Sequence, residues 1–109
     1  MARVLAFIPD LLFGSNVVGA LGAAGHEVQL VAGLGDERQL AEADVLIVDL
    51  TADAAARIAE IPAERPPALA FYAHVEQDVR ELAESSGLEL VVPRSRMARE
   101  GPALVDRLT

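Results

Sequence analysis

A chain of 109 residues with a formal charge of −8, just over half of it apolar, is the size of one domain with a proper core. The acidic balance argues against nucleic acid and anionic membrane surfaces as partners, since both need a basic footprint. Cysteine and lysine are both absent, which removes disulfides, thiolate metal sites, cysteine nucleophiles and Schiff-base chemistry. No basic region followed by a hydrophobic signal segment opens the chain, and no apolar run approaches a membrane span, so a soluble cytoplasmic protein is expected.

The first strand is expected over Arg3–Ile8, a continuous apolar run ended by Pro9 and Asp10. Leu11–Phe13 reads as an apolar bend. Ser15 or Asn16 then caps a helix whose buried stripe is Val17, Val18, Leu21 and Ala24, with Gly25 as its stop. His26 reads as a surface turn residue, and Val28–Ala32 as a second, edge strand. Asp36 or a neighbour opens a helix of one or two turns that points Leu40 inward.

Val45–Asp49 is the third strand. Its apolar, β-branched run needs cover on both faces, as in the centre of a parallel sheet, and it delivers Asp49 at its carboxyl end. Thr51 or Asp53 caps the next helix, Ala54–Ile61, with Ala55, Ile58 and Ala59 inward. Strand four is Ala68–Tyr72. Helix four follows over about Val75–Ser86, with Val79, Leu82 and Ala83 on its core side. Leu88–Val92 is strand five, ended by Pro93. Arg94–Glu100 reads as a linker with three Arg, and Gly101–Pro102 starts a short last helix buried through Leu104, Val105 and Leu108.

Five strands alternating with helices predict a doubly wound, parallel α/β sheet. The first strand–helix turn, IPDLLFG, lacks the G-x-G-x-x-G of dinucleotide binding. The flavodoxin-like order 2-1-3-4-5 instead places a crevice between strands one and three, flanked by Asp10 and Asp49.

Three segments, DVLIVDL, ALAFYAHV and GLELVVPRS, carry a resemblance to the receiver domains of response regulators that extends over essentially the whole chain. The resemblance implies that Asp49 stands at the phosphoacceptor position. It also implies an acidic, magnesium-holding pair after strand one, where this chain has Ile8 and Pro9, with Asp10 one residue late. The family's Thr or Ser at the end of strand four is matched by Tyr72, followed by Ala73 and His74. Its Lys–Pro pair after strand five is replaced by Pro93–Arg94.

Phosphoryl transfer is mostly positioning and charge neutralisation around a metal, and magnesium needs several oxygen ligands. The expected function is therefore that of a degenerate receiver-like domain. It is not an enzyme, holds no cofactor, and works as a phosphorylation-independent interaction or dimerisation module through helix four, strand five and helix five. Two alternatives stand beside this. One is a phosphoacceptor domain in which Asp10 and Asp49 hold magnesium. The other is a site for a small anion at the strand ends, using Arg94, Arg96 and helix N-termini.

Individual residues keep competing readings. Asp49 is a phosphoacceptor remnant, an ion-pair partner or a helix-capping acid. Arg94 either pairs with Asp49 in place of the family's Lys or faces solvent. Arg96 and Arg99 form a local basic patch or simply a solvated face. Tyr72 fills the switch position with its ring in or out. His74 reads as a turn residue. Leu11–Phe13 either plugs the crevice or forms an exposed contact patch.

Overall fold

The computed structural model describes residues 1–109. Its sheet is all parallel, in the order β2-β1-β3-β4-β5, built from β1 (Arg3–Phe7), β2 (Glu27–Val31), β3 (Val45–Asp49), β4 (Ala68–Tyr72) and β5 (Leu90–Pro93). The helices are α1 (Leu11–Ala23), α2 (Glu37–Glu42), α3 (Ala54–Glu60), α4 (Gln77–Ser85) and α5 (Arg94–Asp106). None is long and apolar enough to cross a membrane.

Every residue of β3 and β4 is buried, which is why those runs carry no polar alternation. The edge strands β2 and β5 are only partly covered. Side chains alternate across the sheet into two cores. Val4, Ala6, Ile47, Leu69 and Phe71 meet Phe13, Val17 and Leu21 of α1 and Met97, Leu104 and Val105 of α5. Leu5, Phe7, Leu46, Val48, Ala70 and Tyr72 meet Leu40 of α2 and Val79 and Ala83 of α4, with Ile58 of α3 partly buried against them. Gly25, at φ 92°, follows the α1 C-cap and turns the chain into β2, as its position suggested.

Several expectations are corrected. α1 starts at Leu11, a turn before Ser15 and Asn16, because the Asp10 carboxylate accepts from Leu12 N–H and Phe13 N–H as an N-cap. Its buried face is Phe13, Gly14, Val17 and Leu21, with Ala24 exposed. Gly14 allows close approach to the sheet: a Cβ there would lie 3.2 Å from Leu30 Cδ2 on β2.

The segment Arg94–Glu100 is helical, not a linker, and Met97 is its buried anchor. The Gly101–Pro102 signal marks a kink instead, with Glu100 outside helical geometry (φ −125°, ψ 15°). Leu82 is exposed on α4 rather than buried. α3 turns Ala54, Arg57 and Ile58 toward the sheet, and Ala55 and Ala59 to solvent. His26 is buried: its Nδ1 accepts from Ala2 N–H at 3.0 Å, and its Nε2 lies 3.1 Å from Asp106 Oδ1.

Candidate functional site

The strands' carboxyl ends converge where β3 lies between β1 and β4, and Asp49 ends β3 directly opposite Phe71. Its side chain is only 3% exposed. Oδ1 accepts from both the backbone N–H (2.8 Å) and the hydroxyl of Thr51, closing an Asx turn after the strand. On the other side, Arg57 Nη1 donates to the Asp49 carbonyl oxygen at 2.8 Å and lies 3.6 Å from Oδ2. The guanidinium also sits over the Phe7 ring, 6.0 Å from its centroid. Of the three readings of Asp49, the ion-pair partner is realised in this geometry; the acid closes a turn with Thr51 rather than capping α3, whose N-cap position is Asp53.

Arg94 is not the partner of Asp49. It lies 3.7 Å from Asp10 Oδ2 and stacks over Phe13, 4.5 Å from the ring centroid. The reason is positional. Once Asp10 caps α1 and α5 begins at Arg94, both side chains stand on the α1–α5 side of the sheet beside Phe13, whereas Arg57 reaches Asp49 from the opposite layer.

Leu11–Phe13 is neither a plug nor a patch as a unit. Leu11 and Leu12 are 78% and 76% exposed, and Phe13 is 7% exposed, packed on Phe71 with ring centroids 4.8 Å apart. Tyr72 points inward and belongs to the core under α4. His74 is exposed, and its carbonyl accepts from the Gln77 side chain. Pro93 is half-buried and stands directly before α5. Arg96 and Arg99 both contact the Glu100 carboxylate, at 3.5 Å and 3.2 Å.

The fit of this site to magnesium can be tested on its donors. Asp10 spends one oxygen on the α1 cap and sets the other beside Arg94. Asp49 faces a guanidinium on one side and two Thr51 donors on the other. No group of three or more His, Asp or Glu side chains is gathered as ligands anywhere in the chain. This donor set does not fit an ion that demands near-octahedral oxygen ligation.

Arg57 is the residue that sequence reasoning missed. The signal was present: Ala54, Arg57, Ile58 and Ile61 share helical spacing, so a cation falls on the inward stripe of α3 just after an inward acid.

In solved structures, this architecture is matched by the non-phosphorylated receiver domain of HemR from Leptospira biflexa. The TM-score is 0.72 at 17% identity, over 99% of this chain and 94% of that one. The fold is receiver-like. The receiver domain of ChxR from Chlamydia trachomatis also matches this receiver-like domain, with a TM-score of 0.63 at 9% identity, over 96% of each chain. No protein-family model and no curated protein sequence matches it. The likeness therefore lies in the path of the backbone, and the side chains at the crevice are this chain's own.

Proposed function

We propose that this receiver-like domain is a non-enzymatic interaction module that associates with a protein partner or a second copy of itself without phosphoryl transfer at Asp49. The observation that carries this reading is the enclosure of Asp49. Both of its oxygens are engaged, and its side chain is almost fully withdrawn from solvent. A carboxylate must present a free oxygen to attack phosphorus, and it needs cationic neutralisation of the phosphoryl group. Here the nearest cation is already spent on Asp49 itself, so the reading needs no magnesium.

The contact surface in this reading is α4, β5 and α5. β5 is an edge strand with Leu90 and Val91 half-buried. α4 beside it exposes Leu82, Glu81 and Glu84, while α5 carries Arg96 and Arg99. A two-fold axis along the β5 edge brings the acids of one copy toward the arginines of the other, so the surface is self-complementary in charge. The ion pairs these groups make within the chain are exposed and weak enough to exchange.

Two measurements test the proposal. Incubation with a small phosphodonor and magnesium should leave the intact mass unchanged. A mass gain that is lost in D49N overturns the reading in favour of a phosphoacceptor. Light scattering at high micromolar concentration should report a dimer, and a monomer there removes self-association. The anion-site alternative loses support because Arg94 is held between the Asp10 carboxylate and the Phe13 ring.

A further inference from the structure

α3 is the only helix with no buried residue. Its seven residues touch the core through Ala54 and Ile58, and Ile61 does so just beyond its end, all three half-buried. The hinge before it is unusual too. Asp53 sits in the left-handed region (φ 49°, ψ 39°), which L residues rarely adopt, and its side chain makes no capping hydrogen bond. So little apolar burial and no cap would leave this helix at the low-stability end of the fold.

One side chain counters that. Arg57 is only 13% exposed on its side chain, bonds the carbonyl of Asp49, faces its carboxylate and lies over Phe7. A guanidinium held this way makes charge-assisted contacts that a neutral side chain cannot replace. The same contacts cover Asp49. Fastening of the helix and enclosure of the acid are thus one set of interactions.

We propose that Arg57 is a clasp, and that α3 is a strap whose release uncovers Asp49. The helix and the carboxylate then open together, and the rest of the fold stays closed. α1, α4 and α5 each keep their own buried residues and do not depend on the clasp. This goes beyond the interaction reading and does not depend on it, because it concerns which element moves and not what the surface binds.

Hydrogen–deuterium exchange and carboxyl labelling with a water-soluble carbodiimide and glycine ethyl ester, run on the wild-type chain and R57Q, test it. Loss of one charge-assisted contact should speed exchange across Ala54–Glu60 by roughly tenfold or more while α1 and α5 keep their protection. Asp49 should be labelled in R57Q and spared in the wild type. Unchanged α3 exchange, an acceleration shared equally by all helices, or equal Asp49 labelling in both proteins overturns the proposal. If R57Q does not fold, R57K decides by the same criteria, since it keeps the charge but loses the flat guanidinium that lies over Phe7.

Discussion

His26 and Asp106 stand 80 positions apart in the chain, yet Nε2 of the first lies 3.1 Å from Oδ1 of the second. Because Nδ1 of the same ring accepts the Ala2 N–H, Nε2 is the nitrogen that carries the proton and donates to Asp106. One imidazole therefore ties the start of the chain to the end of α5. H26A leaves the Ala2 N–H without its acceptor in a buried place and should cost about 1–3 kcal/mol. D106A removes an exposed partner and should cost about 1 kcal/mol or less. Urea denaturation of the two variants checks the order, and equal losses would refute it.

Asp10 plays two roles of unequal weight. Its cap of α1 uses direct hydrogen bonds to Leu12 and Phe13 N–H at 3.0 and 3.1 Å, while its contact with Arg94 is longer and half open to solvent. D10A should lose about 1–2 kcal/mol, and D10N, which keeps the capping oxygen, much less. R94A should cost under about 1 kcal/mol from its ion pair, with an added loss of roughly 0.5–1 kcal/mol from its stacking on Phe13. Thermal or chemical unfolding distinguishes D10A from D10N directly.

The apolar triplet at the start of α1 should divide sharply under substitution. F13A removes a ring packed on Phe71 and Arg94 and should cost about 3–5 kcal/mol. L11S and L12S touch exposed positions and should stay within about 0.5 kcal/mol of wild type. A large loss in either Leu variant would mean that the triplet acts as one buried unit after all.

Glu89 gives the pH dependence a definite sign. Partial burial pushes its carboxyl up. The Ala68 N–H and the Arg65 guanidinium, both bonded to Oε1 at 2.7 Å, outweigh that and hold it below its ordinary value of 4.5. A carboxyl depressed in the folded state adds stability that is fully present above its unfolded value and is lost as pH falls through its folded value. Stability should therefore fall below about pH 4.5, and E89Q should flatten that acid limb. Denaturation midpoints from about pH 6 to about pH 3, compared between the two proteins, measure it; parallel slopes would refute the assignment.

The strands were legible in the sequence because each is a short, largely apolar run with Pro, Gly or Asp near at least one end. Two of the uniformly apolar runs, Val45–Val48 and Ala68–Tyr72, became the two fully buried strands. Their alternation with helix-spaced segments implied the parallel sheet, and the short chain and a first turn without G-x-G-x-x-G pointed to the order that the structure has. The helix starts were read less well. At α1, the apolar Leu11–Phe13 hid a cap by Asp10. At α5, three arginines hid a first half, Arg94–Glu100, whose one buried residue is Met97.

What the sequence by itself determined, then, was the element order, the sheet, and the arrival of Asp49 at a strand's carboxyl end. Periodicity and burial are local properties, and they survive in one dimension. Only the tertiary structure decided the partners: Arg57 rather than Arg94 for Asp49, Arg94 for Asp10, and Asp106 for His26. A charged side chain can reach several acids, and the choice among them depends on which layer its helix occupies and where that helix begins. Both are set by three-dimensional packing, so the chain had the makings of the crevice in view while its wiring stayed hidden.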